Sequence, residues 1–317
     1  MDIFTSTEQV TEEYHPEFPN IEPTIESSNE IVYEMNEMTY KILAATYISD
    51  IMVESMISEG TTDIKPLTEG IIKDLIDKSI KNFNNFKAKI REWFGKISRY
   101  FADNTLIIKK YIEKNEKTIL ENIEKITKYE YKGIPFTNLD KLFDQSKMYL
   151  NSALAYTRQS RLDIDNSSIH VTSSSKIEKS KNEIEKIVNE LYTERLQLKH
   201  FFMSDKDGVQ EIISINKTDV QLYINFCKKS NDGIKKIKEI EKITINAIDY
   251  AIKNLNISKN GENATEINNK ISFYNSIITS IQSLNTMIIS IYKKAVNQYF
   301  GQLRKLVSNP EKLKDKE

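Results

Sequence analysis

The residues that most often carry catalytic or metal-binding chemistry are few in this chain and far apart. The histidines are His15, His170 and His200, and the single cysteine is Cys227. None of them belongs to an HExxH motif or to a cluster of Cys and His residues, so we expect no metal site. One cysteine cannot form an intrachain disulfide, and we expect Cys227 to be a small buried apolar residue.

The other common catalytic patterns are also missing from the sequence. It contains no Walker-type glycine-rich loop, no GxGxxG motif and no GxSxG motif. Asp and Glu residues at helical spacing are plentiful, but Lys accompanies almost every pair, which is typical of solvated ion pairs rather than of catalytic carboxylates. We therefore expect no enzyme activity, no catalytic residue, no cofactor and no small-molecule substrate.

A stretch between Lys81 and Arg99 combines positive charge with aromatic residues and is the strongest candidate for a binding surface. Its only acid is Glu92. Such a helix could contact an anionic membrane, an acidic groove of a partner or a nucleic-acid backbone. The alternative is a core helix whose Lys and Arg stems reach out to solvent. An isoelectric point near 6.4 argues against a dedicated nucleic-acid-binding protein. The candidate partner or membrane face consists of Phe83, Phe86, Lys87, Lys89, Ile90, Arg91, Trp93, Phe94 and Ile97.

Long helices are predicted to position these residues. Only 8 of the 317 residues are Gly and 6 are Pro, while 39% are hydrophobic and 29% charged. This composition favours an all-α fold of long amphipathic helices in an elongated bundle. Apolar residues at steps of three to four predict helices over about 31–58, 66–101, 105–128, 137–160, 175–202, 218–256 and 265–307. In the first helix they are Met35, Met38, Ile42, Ala45, Ile48, Ile51, Met52 and Met56.

Local signals predict where these helices break. Asp103 and Asn104 are expected to end one helix, and the segment from Tyr129 to Phe136 suits a loop or a short strand around Gly133. A capping box from Thr218 to Gln221 is expected to open the 218–256 helix. Within that helix Gly233 makes a kink possible.

The last predicted helix has the period of a coiled coil. Its 4-3 rhythm predicts an antiparallel hairpin with the preceding helix, or pairing of each helix with another subunit. Asn285 lies in this seam, where a polar residue can determine register or oligomeric state, and it should meet another polar group. The seam consists of Ile267, Ile271, Tyr274, Ile278, Ile281, Asn285, Ile288, Tyr292, Ala295, Tyr299, Leu303 and Leu306.

The charge distribution and the polar segments suggest five regions. Residues 1–40 hold ten acids and neither Lys nor Arg. The predicted regions are an acidic disordered or extended arm (1–29), an N-terminal helical domain (30–160), a linker (161–175), a C-terminal long-helix hairpin (176–310) and a charged tail (311–317). We expect no secretory signal peptide, because the N-terminus has neither a basic region nor an apolar one. We expect no transmembrane helix, because the longest uncharged run, 271–292, is about half polar.

Three segments of the chain together resemble a known group of proteins. They are Phe86–Asn104, Ile108–Leu120 and Tyr129–Phe136. Their order and helix types are similar to helical proteins of tailed bacteriophages of Firmicutes hosts, which are encoded among head-morphogenesis genes and described as virion structural or internal head proteins. The resemblance covers about residues 30–160.

The resemblance implies a non-enzymatic structural component of a phage virion, internal to the head or associated with it. Its partners would be other virion proteins or further copies of itself. Two alternatives remain open at this point. One is a membrane-active helical protein that resembles the pore-forming toxins, and the other is a cytoplasmic coiled-coil scaffold.

Overall fold

The computed structural model describes residues 22–59, 65–126, 129–133, 144, 146–155, 189, 193, 211–229, 231–258 and 264–308. The predicted linker at 161–175 and the predicted charged tail at 311–317 lie outside these residues. So does most of the helix predicted over 175–202. The three histidines lie outside them as well.

The described residues form six helices and a two-stranded sheet. Helices therefore dominate, and the predicted all-α class is confirmed. In chain order the elements are α1 (Glu22–Ser58), α2 (Lys65–Glu124), β1 (Glu130–Gly133), α3 (146–155), β2 (Glu211–Ser214), α4 (Lys217–Lys228), α5 (Asn231–Ile257) and α6 (Ala264–Ser308).

Helix α6 is the centre of the bundle. It packs against α1, α2, α4 and α5, and more than half of its 45 residues are buried. Every residue of the predicted seam is buried. The predicted antiparallel hairpin with the preceding helix is present, because Asn285 meets Thr244 of α5 whereas Tyr274 meets Asn254. α1, α2 and α4 pack on α6 as well, so the hairpin is part of a larger bundle. This central position also explains the uncharged run at 271–292, because a helix that is buried all round carries no charged face.

Contacts along α6 show how its neighbours are oriented. α1 runs antiparallel to it, because Ser28 meets Thr286 whereas Thr39 meets Asn275. α2 runs parallel to it, with its later residue Asn122 donating to the carbonyl of Leu306. Because α2 also packs against α4 and α5, helices assigned to two separate domains by the sequence share one core.

Helix α1 begins earlier than the sequence predicted. The helix starts at Glu22, inside the segment expected to be a disordered or extended arm. Pro23 is tolerated in the first turn, where backbone N–H groups have no partner within the helix. Ser28 is already buried against α6, and this contact offsets the cost of ordering the segment.

The predicted break at Asp103 and Asn104 is wrong, since α2 continues through both residues. Asn104 is buried, and next to it Phe101 packs against Tyr292 with ring centroids 5.1 Å apart. The Thr105 hydroxyl donates to the carbonyl of Phe101 at 2.6 Å, within the helix. Packing against α6 therefore overrides the weak helix propensity of these residues.

The segment predicted as one helix over 218–256 is divided into α4 and α5. Its capping box lies two residues earlier than expected: the Asn216 side chain accepts hydrogen bonds from the backbone of Thr218 and Asp219, and the Asp219 carboxylate accepts one from the backbone of Asn216. The helix ends at Lys228 and restarts at Asn231, so the chain breaks before Gly233 and does not kink at it.

A short antiparallel sheet pairs β1, which follows α2, with β2, which precedes α4. The predicted non-helical segment contains β1, which confirms that prediction for Glu130–Gly133. Its partner β2 was not predicted. Glu130 pairs with Ser214 and Gly133 with Glu211, and the Ile215 backbone donates to the carbonyl of Tyr129 at 2.7 Å.

Candidate functional site

The part of the chain that the structure describes contains no candidate metal site. No group of three or more His, Cys, Asp or Glu side chains among the described residues could hold a metal ion. Cys227 is fully buried, as predicted, and burial raises the pKa of its thiol to about 12. The thiol is therefore protonated near neutral pH and is not a nucleophile.

The aromatic stretch of α2 is part of the core. The six apolar members of the predicted partner or membrane face are all buried, which corrects that prediction for them. Their stripe is wide because α2 packs against α1 on one side and against α5 and α6 on others. The buried residues are Phe83, Phe86, Ile90, Trp93, Phe94 and Ile97.

The basic members of the predicted face lie close to acids of this chain. Lys87 forms an ion pair with Asp249 of α5, and Lys89 forms one with Glu34 of α1. Arg91 is exposed near Glu241, a carboxyl whose pKa is raised by burial while the charge of Arg91 opposes that shift. These partly exposed pairs orient α1 and α5 on α2, and each contributes only about 0–1 kcal/mol.

Asn285 is buried and takes part in a group of polar side chains that we call the polar layer. Its amide N–H donates to the Thr244 hydroxyl of α5 at 2.7 Å. Toward α1, the Gln282 amide donates to Ser28 at 2.9 Å, and Ser28 lies 2.6 Å from the Thr286 hydroxyl. The predicted polar partner of Asn285 thus exists within the chain. The polar layer comprises Ser28, Thr244, Gln282, Asn285 and Thr286.

The most unusual surface of the described chain is on α1. Thirteen large apolar side chains are exposed in the described residues, and nine of them belong to this one helix. On the side of α1 away from the bundle, the exposed fractions are 68% for Tyr33, 74% for Tyr40, 68% for Tyr47, 57% for Ile48 and 48% for Ile51. We call these five residues the outward face. An exposed apolar patch of this kind typically marks an interaction site.

Helical geometry separates the outward face from the side of α1 that packs on the bundle. Successive residues of a helix are about 100° apart, so the seven-residue steps between Tyr33, Tyr40 and Tyr47 put these rings on one side. Met35 and Ile42, which are buried, project on the roughly opposite side. The apolar stripe predicted for this helix combined the two sides. The heptad spacing of the tyrosines was the signal that could have distinguished them.

The last two turns of α1 extend beyond α6. The antiparallel register set by Ser28 and Thr39 places residue 50 of α1 opposite Ala264, where α6 begins. No described residue of α1 after Ile42 is buried, and the first buried residue of α2 is Leu75. The end of α1 and the start of α2 therefore project from the bundle.

The helix that carries the outward face is also strongly acidic. α1 carries seven acids and a single base, Lys41, which pairs with Glu37 at 2.6 Å. An open groove of about 410 Å³ lies beside Tyr33 and is lined by Asn29, Glu30, Tyr33 and Glu34. Apolar side chains and negative charge therefore occur together along the same helix.

The fold and this surface define an all-α bundle with one exposed apolar helix face. Comparisons with protein-family models, with curated proteins and with solved structures give no match to the chain. None of the helices in the described part of the chain combines the length and the apolar character needed to cross a membrane.

Proposed function

We propose that this chain is a non-enzymatic structural protein that acts by holding another protein along the outward face of α1. The observation that carries the proposal is the concentration of exposed Tyr and Ile side chains on one side of one helix. Exposed apolar area of this kind is costly in water and becomes favourable when a partner covers it.

The setting we propose is the virion of a tailed phage, inside the head or associated with it. The resemblance of residues 30–160 to internal head proteins supports this setting. Helices as long as α2, with 60 residues, also suit a structural role, because they span about 90 Å at ~1.5 Å per residue. Other virion proteins are the proposed partners.

Mass spectrometry of purified phage particles tests the setting directly. The chain should remain in the particles through repeated density purification, in a constant ratio to the major capsid protein. The double variant Tyr40→Ser/Ile51→Ser should be incorporated less well than the parent. Leu106→Ser, which removes an equally exposed apolar side chain from α2, should be incorporated normally.

Absence of the parent chain from the particles would contradict a virion role. Recovery of the chain only in the soluble fraction of host cells would favour the cytoplasmic scaffold instead. The membrane-active alternative has less support, because the apolar side chains of the basic aromatic stretch that motivated it are buried. In addition, the acidic helix α1 would be repelled by anionic lipid.

A further inference from the structure

We infer that the partner of the outward face is a helix whose apolar seam is flanked by Lys and Arg, lying lengthwise along α1. This inference rests on the proposed function and adds the chemistry of the partner. Three observations lead to it: the spacing of the exposed apolar residues, the charge of α1 and the independence of this face from the core.

The spacing of the face fits a helical partner. Tyr40, half-buried Ala44, Tyr47 and Ile51 follow one another at steps of 4, 3 and 4, the rhythm that places knobs into the holes of a second helix. From Tyr33 to Ile51 the face is about 27 Å long at ~1.5 Å per residue. This length accommodates between two and three heptads of a partner helix.

The charge of α1 selects a basic partner. Seven acids oppose one base over the 37 residues of the helix. Glu37 pairs with that base and Glu34 pairs with Lys89 of α2, so the remaining negative charge comes from the other five acids. Glu30 lines the groove beside Tyr33, so negative charge borders the apolar face directly. A second copy of α1 would bring seven acids against seven, whereas Lys and Arg flanking an apolar seam would complement them.

The outward face contributes little to folding, so it can be changed without unfolding the protein. α1 is attached to the bundle through Met35 and Ile42, together with hydrogen bonds from Ser28 and Thr39. The tyrosines of the outward face are more than two-thirds exposed. Substitutions there should leave the melting temperature nearly unchanged, as exposed substitutions generally do.

Two designed peptides test the chemistry of the partner with the full chain. Both have about 28 residues and the same Leu and Ile seam, but one carries Lys and the other Glu at the flanking positions. Fluorescence anisotropy should show the Lys peptide binding about tenfold or more tightly than the Glu peptide, with a smaller ratio at high salt. Tyr40→Ser/Ile51→Ser should weaken binding of the Lys peptide about tenfold. Leu106→Ser should leave it unchanged.

Four outcomes would overturn the inference. Equal binding of both peptides would show that apolar area alone drives the contact. Equal loss in the α1 double variant and in Leu106→Ser would show that α1 is not the site. A dimer in analytical ultracentrifugation that the double variant abolishes would identify a second copy as the occupant. Flotation with vesicles of phosphatidylserine and phosphatidylcholine, abolished by the double variant, would identify a lipid surface.

The failure of this inference can be distinguished from the failure of the proposed function. If the chain needs the outward face to enter phage particles but does not bind the Lys peptide, the proposed function is supported and the partner has a different chemistry. If the chain is absent from particles but binds the Lys peptide through α1, the docking surface is supported and the virion setting is contradicted.

Discussion

The Asn285 amide of α6 donates to the Thr244 hydroxyl of α5 at 2.7 Å, in the buried interface of the two helices. The Thr244 hydroxyl in turn donates a hydrogen bond to the carbonyl of Ile240 at 2.9 Å. Together with the Asn254 amide, which donates to the Tyr274 hydroxyl at 2.8 Å, the pair defines how α5 and α6 align lengthwise. Sliding either helix by one turn would separate both pairs. The Thr244 contact satisfies only the N–H side of the Asn285 amide, because the side-chain oxygen of Asn285 has no donor among the described residues.

Asn285→Leu should stabilise the protein by about 1 kcal/mol, because it replaces an incompletely satisfied amide with an apolar side chain of similar shape. Thr244→Val should destabilise it by about 1–3 kcal/mol, because the Asn285 N–H then loses its acceptor at 2.7 Å. Chemical unfolding of both variants measures the difference. Stabilisation by Thr244→Val, or equal losses in both variants, would show that the pair does not behave as a buried polar contact.

Gly233→Ala should lower stability although Ala is the better helix former. A Cβ at Gly233 would collide with the Tyr292 ring of α6, which is itself buried. Gly95→Ala is the matched control, because nothing lies within 4 Å of a Cβ at that position of α2. It should raise stability by up to about 1 kcal/mol through helix propensity. Thermal unfolding of the two variants should move in opposite directions, and parallel shifts would refute the close approach.

Helix α1 should open more easily than α6. Its buried apolar residues among those described are Met35 and Ile42, and Ile31 and Leu43 are only partly buried against the core. The ion pair of Glu34 with Lys89 is partly exposed. Elements with few buried apolar contacts open locally at lower free energy than the core. Hydrogen exchange with mass spectrometry should therefore show early exchange in residues 43–58 and late exchange in the middle of α6. Equal protection of both helices would contradict this order.

Stability should fall as the pH rises above about 9. Burial raises the pKa of the Cys227 thiol from 9.0 to about 12, so between these values the unfolded chain has lost the proton that the folded chain retains. This difference in bound protons lowers the free energy of unfolding by about 1.4 kcal/mol per pH unit. The stability that the protonated thiol contributes is therefore fully present below pH 9 and is lost as the pH rises toward 12. Burial raises the pKa of Tyr131 as well, which acts in the same direction at higher pH.

Cys227→Ala isolates the contribution of the thiol. The variant should be less stable at pH 7 by about 1 kcal/mol, because a small cavity replaces the sulfur. Between pH 9 and pH 10, however, it should lose stability more slowly than the parent. Unfolding midpoints over a pH series measure both slopes, and parallel curves would mean that the Cys227 thiol ionises equally in the folded and unfolded chains.

Much of the helical architecture was readable from the sequence, because it depends on local periodicity. The predicted limits of α6, 265–307, differ from the observed limits by one residue at each end, since its apolar residues recur at 3.5-residue intervals over the whole length. The scarcity of Gly and Pro indicated long helices for the same reason. The burial of Asn285 followed from its place within that rhythm.

The remaining features depend on which helices meet, and this was not readable from local pattern. The stripe of Phe86 and Trp93 was compatible with either a surface or a core, and it became core because helices pack on several sides of α2. Likewise β2 carries no strong strand signal of its own and forms because β1 lies beside it.

The sequence by itself therefore determined that the chain is built from long helices, where α6 runs and that Asn285 is buried in it, because these follow from residues only three to four positions apart. The tertiary structure decided which apolar side of each helix is covered. It buried Met35 and left Tyr40 exposed on the same helix, since only the positions of α2 and α6 determine which side of α1 loses its water.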